Sequence, residues 1–210
     1  DYLRPARGKS DAKRMAGKLA RTAPLHPFTA CLLGPLSRRR FGQNQRSIFS
    51  FLSSAEPFGL QDALASETIN SVYPPYLLWS YLQANFEPAI LSSPDGRRWA
   101  LAHDVIERAI ARGASDTELK ALKTIAVLDL LKDRSGLTTQ PATIALALHE
   151  LNRTDVDNAL ARLERQSEIV FRKHTGIYVL YAGSDFDVEA RLQEAIAETG
   201  EVDLNLVRTL

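Results

Sequence analysis

The change of pattern after residue 167 constrains the fold of this chain more than any other feature. Before it, three stretches carry apolar residues at helical spacing, and the first begins with a capping box, Ser115 to Glu118. After it come two β-rich runs, EIVFRK and GIYVLY, separated by His174 and Thr175 with Gly176 in the turn. The pattern predicts three helices followed by a β-hairpin.

That order of elements is typical of a winged helix-turn-helix domain. We therefore predict a mainly α chain, in which a helical region precedes a winged helix-turn-helix domain with a small β-hairpin wing. A basic arm and a helical, ATPase-lid-like region are assigned to 1–114. The winged helix and a closing acidic helix, which starts near Asp185, are assigned to 115–198, and 199–210 form a tail or linker.

The helical region has its own local signals. Pro27 suits the first turn of a helix, and Gly113 suits the end of a helix predicted over 100–112. The segment 92–99, SSPDGRRW, is predicted as a loop. The aromatic residues between 73 and 86 could stack nucleic-acid bases, but their helical spacing favours the core.

Charge is distributed unevenly along the chain. Residues 1–46 hold eleven Lys or Arg and two Asp, a balance of +9, whereas the remainder carries −8. A basic segment of this kind favours a polyanion or an acidic partner surface, and the alternative is a solvated arm.

Motifs for catalysis by this chain alone are missing from the sequence. Gly8-Lys9-Ser10 resembles the end of a phosphate-binding loop, but the required earlier glycine is replaced by Leu3. Four His without metal-ligand spacing and a single Cys predict no metal site and no disulfide.

No apolar run is long enough to span a membrane, and we expect a cytoplasmic protein. Because the chain begins at Asp1, we expect it to be a fragment.

Two groups of residues are candidates for binding phosphate. The segment 37–46, SRRRFGQNQR, combines four Arg with amide side chains, and Arg suits phosphate recognition; the alternative is an ordinary solvated helix end. The predicted third helix and the wing supply the candidates for DNA binding. These are Arg153, Asn158, Arg162, Arg165, Arg172 and Lys173. Because the third helix also carries three acidic residues, a structural or protein-binding winged helix is an equal alternative.

Several stretches together resemble a known class of protein. They are LHPFTACLLGPLSRRRFGQNQRSIFSFLSS at 25–54, GRRWALAHDVIERA at 96–109, LKALKTIAVLDLL at 119–131 and YAGSDFDVEARLQEA at 181–195. In this order they resemble the C-terminal portion of large bacterial P-loop ATPases of the AAA+/STAND type, which are found with anti-phage defence and DNA-restriction systems. Gln45 stands where the related pattern has an acidic residue.

The resemblance implies a regulatory portion of a larger ATPase. The parent would bind ATP and magnesium through Walker motifs before Asp1, while this chain would hold no cofactor. Arg40 and Arg46 match the position of an arginine finger or sensor that acts on the γ-phosphate. The partners would be the remainder of the ATPase or a neighbouring subunit, and DNA. The alternative functions are a stand-alone winged-helix DNA-binding regulator and a protein-interaction adaptor.

Overall fold

The computed structural model describes residues 9–39, 47–66, 72–133 and 135–181. Within them the fold is mainly helical, with one small antiparallel sheet near the C-terminal end. The helices are α1 Lys9–Ala20, α2 Pro27–Arg38, α3 Ser47–Ser53, α4 Leu60–Ala65, α5 Pro75–Leu91, α6 Gly96–Ala111, α7 Asp116–Leu130, α8 Pro141–Ala147 and α9 Arg153–Arg165. The strands are β1 Ile169–Arg172 and β2 Ile177–Leu180.

Helix α7 lies at the centre of the core. The sequence predicts one apolar face for it, but the structure buries it on nearly all sides, including Thr124 and Val127. It packs against α5 and α6 on the N-terminal side and against α8, α9 and β2 on the C-terminal side. One cluster of buried residues therefore runs from Leu25 to Ile169. The division at residue 114 stays a prediction, and the parts on either side of it share this core.

Of the aromatic residues between 73 and 86, Tyr73, Trp79 and Tyr81 are fully buried in the core, as the helical spacing predicts. Tyr76 and Phe86 are partly buried and pack against that core. The indole of Trp79 stacks on that of Trp99 in α6, with ring centroids 4.0 Å apart. These buried rings have no free face on which a base could stack.

The predicted start of α6 was wrong. The segment 92–99 was expected to be a loop, but α6 begins at Gly96 and includes Arg97, Arg98 and Trp99. A Cβ atom at Gly96 would meet the carbonyl oxygen of Leu91 at 2.2 Å, so only glycine allows this close approach. The short helix α4 was not predicted at all, because six residues are too few for a periodic signal.

The hairpin follows the predicted pattern. Strands β1 and β2 are antiparallel, with Ile169 opposite Leu180 and Arg172 opposite Ile177. Gly176 adopts a positive φ of 68° in the turn, as its placement in the sequence suggests. Three helices and a hairpin are therefore confirmed within 115–181. The predicted helix from Asp185 lies outside the described residues.

The connection between α7 and α8 also bonds to the hairpin. The backbone N–H of Tyr178 in β2 donates to the carbonyl of Thr139, at 2.9 Å. The hydroxyl of Thr139 in turn donates to the carbonyl of Tyr178. Thr139 is thus held against the outer edge of β2.

His26 joins the N-terminal helices to α8. Its Nδ1 accepts from the backbone N–H of Phe28, which caps α2, and its Nε2 lies 3.1 Å from the carbonyl oxygen of Leu146. This geometry fits a neutral ring that carries its proton on Nε2. Burial and the charge of nearby His149 lower the pKa of His26 from 6.5 to about 4, although the Leu146 carbonyl opposes the shift.

Acid is expected to weaken this junction. Between pH 6.5 and about pH 4 the unfolded chain binds a proton at His26 and the folded chain does not. The free energy of unfolding therefore falls as the pH is lowered through this window, by about 2 kcal/mol or more. Urea denaturation across this range measures the loss. The His26→Asn variant keeps an N-cap acceptor but does not titrate, so it should lose less over the same range. An equal loss in both proteins would contradict the assignment.

Candidate nucleic-acid interface

All six candidate DNA-binding residues lie on the surface, four of them on α9 and two at the hairpin. Asn158, Arg162 and Arg165 share one face of α9, because they are four and three residues apart. Asp155 belongs to the same face, which therefore carries a net charge of only +1. Arg165 also donates to the carbonyl of Ala161 in its own helix, at 3.3 Å.

Arg153 is less available than the other arginines of α9. Its Nε lies 3.0 and 2.9 Å from the two carboxylate oxygens of Asp157, one turn further along the helix. Asn152 caps α9 by accepting from the Thr154 backbone N–H. Arg153 is thus the first residue of the helix, with its charge satisfied locally.

The hairpin presents its cations without such partners. Arg172 ends β1 and Lys173 begins the turn, and both are exposed. Among the described residues, neither side chain has a carboxylate within ion-pair distance. The turn itself is closed by the Arg172 carbonyl, which accepts from Thr175 and Gly176. These two cations are therefore the most accessible of the six candidates for contact with phosphate.

A buried ion-pair network, which the sequence did not reveal, holds the hairpin to the helices. Arg112, after the last turn of α6, donates from Nε and Nη2 to the two carboxylate oxygens of Glu168, at 3.0 and 2.9 Å. Its Nη2 also lies 3.4 Å from Oε1 of Glu118. Both carboxylates are buried, and Glu168 immediately precedes β1. Arg112 thus fixes where the hairpin begins.

The same network helps to keep the Glu118 carboxyl group deprotonated. Burial by itself raises the pKa of this carboxyl group, but hydrogen bonds from Ser115 and the charges of Arg112 and Arg162 outweigh it and lower the pKa. The predicted capping box is confirmed, since Ser115 N–H donates to Glu118 at 2.8 Å and Ser115 Oγ accepts from Glu118 N–H. Glu118 is therefore charged at neutral pH and serves both the helix cap and the ion-pair network.

Arg40 and Arg46, the candidates for a γ-phosphate sensor, lie outside the described residues. Their neighbour Arg39 is among the described residues. It follows the last residue of α2 and forms ion pairs with Asp95, at the start of α6, and with Asp133, just after α7; the distance to Asp133 is 3.3 Å. The arginine-rich segment therefore begins where α2, α6 and α7 meet.

A cleft lies close to this junction, between α6, the end of α7 and the hairpin. Its volume is about 670 Å³. Four of its lining residues are cations, namely Arg97, Arg98, Lys132 and Arg172, and we call it the cationic cleft. Of these four cations, only Arg172 was predicted from the sequence as a candidate for DNA binding. The pair Arg97-Arg98 was visible in the sequence, but it had been assigned to a loop and not to the first turn of a helix.

Neither a metal-binding group nor a membrane-spanning helix is found among the described residues. Within the described residues, no group of three or more His, Cys, Asp or Glu side chains could hold a metal ion. In that same part of the chain, every helix is too short or too polar to cross a membrane.

No family model matches the chain, and comparison with curated proteins and solved structures found no match. The likeness to P-loop ATPases therefore stays a prediction.

Proposed function

We propose that this chain is the non-catalytic binding portion of a larger P-loop ATPase and that its C-terminal unit is a winged helix that contacts DNA. The hydrogen bonds between Thr139 and Tyr178 carry the fold part of the proposal. They hold Thr139, in the connection between α7 and α8, beside the hairpin. A winged helix has this order of elements: a helix, a connection that pairs with the wing, two helices and a two-stranded wing.

The charge distribution favours contact with the DNA backbone over base reading. Base readout by α9 would need polar side chains that are free to meet base edges. Arg153 is paired with Asp157, and the face of Asn158, Arg162 and Arg165 is nearly neutral. The unpaired cations at the hairpin suit phosphate contacts, which position a protein on DNA without selecting a sequence.

Removing two of the five candidate cations is expected to weaken DNA binding by about tenfold or more for each phosphate contact that is lost, because a charged hydrogen bond contributes roughly 1.5 to 3 kcal/mol. The variant is Arg165→Gln/Lys173→Gln, which removes one charge from α9 and one from the wing. The slope of log affinity against log salt should become shallower by about one for each lost phosphate contact. Fluorescence anisotropy with a short labelled duplex at several salt concentrations measures both quantities.

The matched control is Arg108→Gln, which removes an exposed arginine of α6 that lies 3.6 Å from Asp104. It should leave affinity close to that of the unchanged chain. Two duplexes of unrelated sequence should bind equally well. If the double variant binds as tightly as the control, the wing is not a DNA contact and the chain is better regarded as a protein-interaction adaptor.

The ATPase part of the proposal rests on the sequence resemblance. In the parent protein, Arg40→Ala or Arg46→Ala should lower ATP turnover, because a planar, permanently charged side chain stabilises charge that develops on phosphate. The melting temperature should stay close to the parent value, as expected for surface substitutions. Normal turnover in both variants, or a reading frame without a Walker A motif upstream, would favour the stand-alone DNA-binding regulator.

A further inference from the structure

The cationic cleft combines positive charge with an apolar wall. Arg97 and Arg98 come from the first turn of α6, Lys132 from just after α7, and Arg172 from the end of β1. Only one carboxylate, Asp129, is among its lining residues. Four cations from three parts of the fold thus face one acidic group, which leaves the cleft with an excess charge of +3.

Not all of this charge is neutralised internally. Lys132 lies 3.0 Å from Asp129, and Arg98 contacts Asp129 and Asp95 at 3.7 and 3.9 Å. In the part of the chain that the structure describes, Arg97 and Arg172 form no ion pair. Both are exposed, so two guanidinium groups, one from α6 and one from the hairpin, are available to a ligand.

Arg98 is already held by carboxylates. Its Nε lies 3.7 Å from Asp129 and its Nη1, which is buried, lies 3.9 Å from Asp95, so Arg98 adds positive charge to the wall of the cleft. Guanidinium groups bind phosphate oxygens through paired, directed N–H donors, and this match favours phosphate over other anions.

The rest of the cleft indicates the size and nature of the ligand. A volume of about 670 Å³ is in the range of pockets that bind small molecules. Leu101, Val179 and Leu180 supply an apolar wall beside the cations. Such a wall suits the base or ring of a compact ligand, whereas a DNA backbone needs only exposed cations.

We infer that the cationic cleft binds a phosphorylated small molecule of nucleotide size. The phosphate lies between the arginines of α6 and Arg172 of the hairpin, and the apolar part of the ligand packs against Leu101, Val179 and Leu180. The inference stands apart from the proposed contact with DNA, with which it shares only Arg172. A ligand in this position would join α6 and α7 to the hairpin and so connect the helical region to the wing.

The test uses the full 210-residue chain and titration calorimetry with three probes: AMP, adenosine and inorganic pyrophosphate. AMP should bind more tightly than either of the others, because only AMP offers both a phosphate and a ring. The Arg97→Gln/Lys132→Gln variant should bind AMP about tenfold or more weakly, as the loss of charged hydrogen bonds implies. Arg108→Gln, which lies outside the cleft, should bind AMP normally.

A short DNA duplex titrated against the same proteins separates the two proposals. The cleft variant should keep its affinity for DNA, and the Arg165→Gln/Lys173→Gln variant should keep its affinity for AMP. If AMP does not bind, or binds the cleft variant as tightly as the unchanged chain, the inference is wrong. It is also overturned if Arg97→Gln/Lys132→Gln weakens DNA binding alone, since the cleft would then be part of the DNA surface.

Discussion

The Trp99→Ala variant is expected to lose about 3 to 5 kcal/mol of unfolding free energy, the usual cost of truncating a buried Trp. Trp99 is fully buried, and its ring stacks on Trp79 with an angle of 18° between the planes. Its Nε1–H also donates to Glu87 at 3.0 Å. The substitution opens a cavity between α5 and α6 and leaves Trp79 without its stacking partner. Urea denaturation followed by far-ultraviolet circular dichroism measures the loss without depending on indole fluorescence.

Two further variants define how this loss arises. Trp99→Phe keeps an aromatic ring but loses the bond to Glu87, so an intermediate loss is expected. Phe49→Ala removes an aromatic side chain that is 76% exposed, and it should change stability by no more than about 0.5 kcal/mol. A Trp99→Ala variant as stable as Phe49→Ala would show that the stacked pair is not part of a packed core.

The Arg112→Ala variant should lose about 3 kcal/mol at neutral pH, because it leaves two buried carboxylates without their cation. Glu118 and Glu168 have side chains only 4% and 5% exposed, whereas that of Arg112 is 31% exposed. Partial solvation of the guanidinium keeps the expected loss at the lower end of the range for broken buried pairs. Equilibrium denaturation at neutral pH measures it.

The pH dependence identifies the cause of that loss. The pKa of Glu118 is lowered in the folded chain, so its contribution to stability is present above the ordinary carboxyl pKa and disappears as the pH falls through the folded pKa. The difference between the unchanged chain and Arg112→Ala should therefore shrink in acid. Arg112→Lys should rescue only in part, since a lysine cannot bond both oxygens of Glu168 with a planar fork.

A matched surface pair provides the control. Arg153 contacts Asp157 with similar distances, but both side chains are at least half exposed. Arg153→Ala should cost about 0.5 kcal/mol or less, the usual contribution of an exposed pair one helical turn apart. If Arg112→Ala costs no more than Arg153→Ala at neutral pH, the buried network does not hold the hairpin in place.

Features set by near neighbours in the chain could be predicted from the sequence. The capping box at Ser115, the glycine after α6 and the glycine in the hairpin turn all occur where the residue pattern places them. Each depends on hydrogen bonds or backbone angles within a few residues. A helix boundary differs from prediction where a close backbone contact decides it, as in α6, predicted over 100–112 and observed as Gly96–Ala111.

The candidate site was predictable only in part. Arg172 and Lys173 were identified because they follow a β-rich run, and they are exposed at the hairpin. The sequence could not show that Arg97, Arg98 and Lys132 lie in one cleft with Arg172. A list of basic residues does not distinguish a free cation from one whose charge is already satisfied.

By itself, the sequence determined the order of elements: helices, then a hairpin, with caps and turns fixed by local chemistry. Only the tertiary structure decided which elements meet. Arg112 and Glu168 are 56 residues apart, and His26 and Leu146 are 120 apart. Such contacts form because burying α7 on nearly all sides draws both halves of the chain around one helix. The positions of distant charged groups follow from that packing, and periodicity along the chain carries no information about it.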